Sequence, residues 1–142
     1  MITTVLSILL FITFFVLACI HFNWVFGGKW GFEKALPTKE NGERILNPKK
    51  LDSAIVGFGL ILFGLVYLLK SGLINFQIPN WILLYGSWII SAIFILRAIG
   101  DFKYVGFFKK IKNTEFAKAD SRIFSPLCLT IGLIGILIQL IK

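Results

Sequence analysis

Apolar residues in this chain fall into four long, nearly unbroken runs separated by polar, lysine-rich stretches, not into the alternating faces of soluble amphipathic elements. The runs cover residues 3–26, 51–69, 81–99 and 125–141. At a rise of about 1.5 Å per residue, some 18 to 20 apolar residues cross a hydrocarbon layer roughly 30 Å thick. The pattern predicts an all-α polytopic membrane protein, a single domain over residues 1–142 built as a bundle of four transmembrane helices.

Local signals mark where each span stops and starts. Gly27-Gly28, Gly72 and Gly100 read as stops after the first three spans, because glycine readily takes the left-handed conformation that ends a helix. Asn47-Pro48 and Ser125-Pro126 each read as a cap followed by a proline in the first helical turn, and Pro79-Asn80 precedes the third span. Spans two and three are joined by only residues 70–79, which makes them antiparallel neighbours.

The chain is 57% hydrophobic and 15% charged, too apolar for an ordinary soluble domain. Its net charge of +8 would suggest nucleic acid in a soluble protein, but the basic residues are gathered between spans, where topology accounts for them. No nucleic-acid partner is expected. The first long loop carries Lys29, Lys34, Lys39, Arg44, Lys49 and Lys50; the second basic segment carries Arg97, Lys103, Lys109, Lys110, Lys112, Lys118 and Arg122. The middle loop holds only Lys70, and the C-terminal end only Lys142. Positive charge near span ends is retained in the cytoplasm, so both basic loops are expected there and both termini outside, in a multi-pass protein of the cell membrane. The first run lacks the basic leader of a secretory signal and is expected to remain as a helix.

Cys19 and Cys128 lie inside apolar runs and read as reduced packing residues. One histidine and two separated cysteines make no recognisable metal or haem set, so neither a metal nor a cofactor is expected. Nucleotide-binding glycine loops, nucleophile elbows and HExxH are absent from the sequence. Polar and ionisable side chains gather instead at one membrane face. His21 and Asn23 lie within about 8 Å of the first span's cytoplasmic end, Arg97 lies one turn inside the third, and Asp101, Asp120, Arg122 and Ser125 flank the loop that follows. Ionisable groups there are costly unless paired or facing a polar cavity. Arg97 and Asp101, four apart, could pair along the helix, leaving His21 to exchange a proton or bond a headgroup.

Residues 102–111 mix Phe102, Tyr104, Phe107, Phe108 and Ile111 with Lys103, Lys109 and Lys110, a composition suited to lying among headgroups as an anchor or a recognition surface. Small residues at Ser53, Gly57 and Gly64, at Ser87 and Ser91, and at Gly132 and Gly135 predict close helix approach. The two halves share the layout of span, basic aromatic loop and span, which leaves open a parallel repeat of two helical hairpins.

His21-Phe22-Asn23-Trp24, Gly27-Gly28-Lys29-Trp30-Gly31, the stretch from Arg97-Ala98-Ile99-Gly100-Asp101 through Phe107-Phe108-Lys109, Thr114-Glu115-Phe116-Ala117, Asp120 and Ser125-Pro126-Leu127-Cys128 form an ordered set of motifs. In these, over nearly its whole length, the chain resembles the domain-of-unknown-function 3995 family of small bacterial four-transmembrane proteins. The resemblance implies a four-helix membrane fold and marks those polar residues as distinctive; it implies no activity, cofactor or substrate.

Three functional readings stand. The leading one is a protein that binds a membrane lipid headgroup or small amphiphilic ligand on the cytoplasmic side through His21, Trp30, Arg97, Asp101 and Lys103. The second is a membrane-embedded enzyme acting on a lipid or isoprenoid-like substrate, with His21 as general acid or base, Asp101 orienting it and Arg97 or Lys103 holding an anionic group. The third is a helper subunit or transporter working as a homo-oligomer through its glycine faces.

Overall fold

The computed structural model describes residues 1–141; Lys142, counted above in the charge balance, lies outside the described residues. Four long helices carry the chain: α1 (Ile2–Val25), α3 (Lys50–Lys70), α4 (Asn80–Ile99) and α6 (Ser125–Ile141). Two short helices, α2 (Phe32–Ala35) and α5 (Glu115–Ala119), lie in the basic segments. No strand occurs among the described residues, only an isolated antiparallel bridge between Thr38 and Arg44 that pins the first loop.

The helix surfaces state their solvent. Only 22% to 33% of the residues along each span are covered by the rest of the chain. Outward-facing side chains include Ile12, Phe15 and Val16 on α1, Ile55, Phe58 and Leu62 on α3, Ile89, Ile93 and Leu96 on α4, and Leu133 and Leu137 on α6. In water so wide an apolar surface would drive aggregation; against acyl chains it is the matched surface. The protein is a four-span integral membrane protein.

The spans pack chiefly as two antiparallel pairs, α1 with α3 and α4 with α6, each pair bridged by a long basic segment. Glycines set the closeness. A Cβ at Gly57 would stand 3.0 Å from the Phe22 ring, and one at Gly64 would stand 3.4 Å from Phe11 and Phe14. Gly132 lies against Ile95, and Gly135 against Ser91 and the Tyr67 hydroxyl. These small-residue faces are therefore occupied by neighbouring helices of the same chain. Helices α3 and α4, although joined by the shortest loop, touch over much less of their length.

Aromatic rings join the pairs at mid-bundle. Phe14 is fully buried, with its ring centroid 5.9 Å from Tyr67, 5.9 Å from Phe63 and 5.3 Å from Phe94. Ile131 and Ile138 close the core from α6. In lipid such contacts hold helices by packing and dispersion, since leaving the hydrocarbon gains nothing.

Two starting signals differ from the sequence expectation. Helix α3 begins at Lys50, two residues beyond Pro48, because Asp52 supplies the cap: its Oδ2 accepts the Lys49 N–H at 2.8 Å. Ser125-Pro126 does not open the last span. The helix begins at Glu115, where Thr114 Oγ1 accepts the Ala117 N–H, and runs on through a π-turn at Asp120–Phe124 into α6. Proline inside a helix lacks a donor and crowds the carbonyl four residues back, and a widened turn just before Pro126 accommodates both.

Candidate functional site

The basic face contains two ordered units. The first surrounds a cleft of about 290 Å³ between the end of α1, helix α2 and the start of α3. Trp24 is its aromatic wall. The Trp24 indole N–H donates to the Trp30 carbonyl at 2.7 Å, and its ring meets Phe32 edge-on at 5.5 Å. The chain can turn back this closely because residue 28 is glycine: a Cβ there would overlap the Asn23 amide. Arg44 lies over the Phe32 ring at 5.4 Å and pairs with Glu33. Lys29, Lys49 and Lys50 also line the cleft.

His21 stands behind this wall, its ring 4.7 Å from that of Trp24. Its Nδ1 lies 2.8 Å from the Leu17 carbonyl. A carbonyl only accepts, so Nδ1 carries the hydrogen and Nε2 is left as the exchangeable position. Trp30 holds Trp24 by its backbone while its own ring is exposed.

The second unit is built on Asp120, which is fully buried. Its Oδ1 accepts from Arg97 Nη2 at 2.8 Å; its Oδ2 accepts from the Gly106 N–H at 2.8 Å and from Lys109 Nζ at 3.1 Å. Lys109 also donates to the Gly106 carbonyl and to Ser121 Oγ. The segment after α4 is thereby folded back, with the Phe107 N–H bonded to the Ala98 carbonyl at 2.8 Å. Lys109, read from sequence as a headgroup-facing lysine, is instead 2% exposed, because the Asp120 carboxylate draws it inward.

Asp101 does not pair with Arg97; the partner of that guanidinium is Asp120, reached by Nη2 alone, and Arg97 Nη1 is buried without a hydrogen-bond partner among the described residues. Asp101 Oδ1 instead accepts the N–H groups of Lys103, Tyr104 and Val105 at 2.8 to 3.0 Å. This turn carries Phe102 at φ 66° and leaves Lys103 over the Tyr104 ring at 5.0 Å. Of the five residues predicted from sequence, His21 and Trp30 thus adjoin the cleft, while Arg97, Asp101 and Lys103 belong to the second unit. Helix α2 packs against α5 and brings the two units side by side. The general-base pairing of His21 with Asp101 is not formed.

Partial burial alone would raise the Asp101 carboxyl, but the amides it accepts outweigh that and hold it below its ordinary value. A depressed carboxylate contributes its stability above its unfolded pKa and loses it as pH falls through the folded one. The amide resonances of Lys103, Tyr104 and Val105 are therefore expected to stay constant from neutral pH down to about 4 and to move only below it. A transition of these three amides centred at or above the ordinary aspartate value of about 3.9 would show that the Asp101 turn does not form.

Sequence reasoning missed Asp120 and Lys109 as partners, and the cleft lysines as a group. The available signal for Asp120 was a carboxylate only five residues before an apolar span, where an ionised group needs a cation. Among the described residues, no three His, Cys, Asp or Glu side chains gather closely enough to share a metal ion.

Four apolar spans carrying an ordered, lysine-rich face at one membrane surface define a small polytopic membrane protein. The chain belongs to the DUF3995 family of proteins of unknown function, whose model matches residues 14–135. No curated protein and no solved structure matches it.

Proposed function

We propose that this protein binds the headgroup of an anionic lipid or small amphiphile on the cytoplasmic side of the cell membrane. The observation that carries the reading is the cleft at the end of α1, aromatic on one wall and lined by four cations against a single carboxylate. Glu33, that carboxylate, is already paired with Arg44, so the ammonium groups of Lys29, Lys49 and Lys50 face no carboxylate of their own among the described residues. Lysine ammonium groups at a membrane surface attract anionic headgroups, at about 1 kcal/mol per residue. A volume of about 290 Å³ suits a headgroup whose tails remain in the bilayer.

His21 and Trp30 frame the cleft through Trp24. Arg97, Asp101 and Lys103 form the neighbouring arm: the Arg97–Asp120 pair and Asp101 shape the loop, and Lys103 supplies positive charge. The exposed rings of Phe102, Phe107 and Phe108 seat that loop at the interface.

Mass spectrometry of amphiphiles retained after extraction in mild detergent tests the reading. Wild-type protein is expected to carry an anionic amphiphile that the Lys49→Gln/Lys50→Gln variant loses, with folding unchanged because both side chains are exposed. Equal lipid content in the two proteins, with no anionic enrichment, would defeat it. Conversion of a retained amphiphile that His21→Ala stops, with retention intact, would move the protein into the enzyme class.

A further inference from the structure

We infer that the cleft between α1, α2 and α3 selects a lipid whose headgroup ends in a phosphomonoester, the doubly charged form of phosphate, over a phosphodiester lipid. This rests on the headgroup reading above and adds the chemical class to it.

Lys29, Arg44, Lys49 and Lys50 bring four positive charges to the lining, and Glu33 brings one negative charge. Arg44 is committed to Glu33 and to the face of Phe32. What remains is three lysines, flexible point charges rather than a planar fork, and a lysine cluster adapts to a small tetrahedral anion. A phosphodiester headgroup carries one negative charge and leaves most of this repulsion among the lysines in place. A phosphomonoester carries about 1.5 to 2 negative charges near neutral pH and three strong acceptor oxygens. A zwitterionic headgroup adds a cation to a site already rich in them.

The aromatic wall argues for a lipid over free phosphate. Trp24 and Phe32 give the cleft an apolar side next to the end of a membrane span, where glycerol and the first carbons of a tail lie. Because the lysines are exposed, each contact is modest and screened by salt, and selectivity comes from their sum.

The test is a titration of delipidated, detergent-solubilised protein with chain-matched phosphatidic acid, phosphatidylglycerol and phosphatidylcholine, read by native mass spectrometry, with inorganic phosphate as competitor. Phosphatidic acid is expected to bind roughly tenfold tighter than phosphatidylglycerol at low salt. Lys49→Gln/Lys50→Gln is expected to abolish that preference, and Lys29→Gln alone to reduce it by roughly threefold. Equal binding of the two anionic lipids, both above phosphatidylcholine, would overturn the phosphomonoester inference and leave the headgroup reading standing. Equal binding of all three would overturn both. Displacement of phosphatidic acid by equimolar inorganic phosphate would show that the cleft takes the free anion and overturn the lipid assignment.

Discussion

Asp120→Ala is expected to destabilise the folded protein by about 3–5 kcal/mol, the largest loss from any single polar substitution on the basic face. The carboxylate is fully buried and is the shared acceptor for Arg97, Lys109 and the Gly106 amide. Removing it leaves the Lys109 ammonium buried with no counter-charge, and it is that stranded charge, more than the lost attraction, that sets the cost. Arg97 suffers less, since about a third of its side chain reaches the surface. Removing both members of the buried pair should therefore cost less than the sum of the single changes. In a double-mutant cycle with Asp120→Leu and Lys109→Met, followed by thermal unfolding in detergent, a coupling of about 1–3 kcal/mol is expected. Additive single effects would show that the two groups do not share the site.

Gly100→Ala is expected to cost about 2 kcal/mol or more and to open the loop after α4, whereas Gly59→Ala in the middle of α3 should be neutral or mildly stabilising. The contrast comes from backbone alone. Gly100 sits at φ 87°, and a Cβ on it would overlap the Val105 carbonyl; Gly106, at φ 90°, faces Ile99 in the same crossing. A Cβ on Gly59 would meet nothing within 4 Å. Limited trypsin digestion reads the outcome: cleavage after Lys103 and Lys110 should rise sharply in Gly100→Ala and stay at the wild-type rate in Gly59→Ala. Equal resistance in both variants would mean that the close crossing at Gly100 is not a feature of the folded loop.

The membrane fold was legible because its signals are long and chemically blunt. A run of about 20 apolar residues has few other uses, and Gly27, Gly72 and Gly100 do end their helices, each with a positive φ. What escaped was decided by partners distant in sequence. Arg97 has one carboxylate four residues away and another 23 away, and helix spacing alone favours the near one. The near carboxylate, Asp101, is consumed by three amides of its own turn, which leaves Asp120 for the arginine. Lys109 looked like its neighbour Lys110, since composition does not distinguish a lysine turned inward by a buried acid from one in water. Ser125-Pro126 resembled a helix start because the same dipeptide also suits a π-turn, and only the upstream Thr114 cap separates the two.

The cleft was invisible for a related reason. Lys29 and the Lys49-Lys50 pair lie 20 residues apart, and it is the Trp24–Trp30 bond and the packing of α3 on α1 that bring them to one opening. The small-residue spacings were correctly read as close-packing faces, but the helices they serve belong to the same chain.

Side-specific thiol labelling in intact cells tests the arrangement most directly. Cys19 and Cys128 are first replaced by Ala, and single cysteines are then placed at Lys39 in the first basic loop and at Phe76 in the short loop. A membrane-impermeant maleimide is expected to reach position 76 in intact cells and position 39 only after the membrane is opened. Labelling of position 39 from outside, with position 76 protected, would put the lysine-lined cleft on the opposite surface and contradict the cytoplasmic headgroup site.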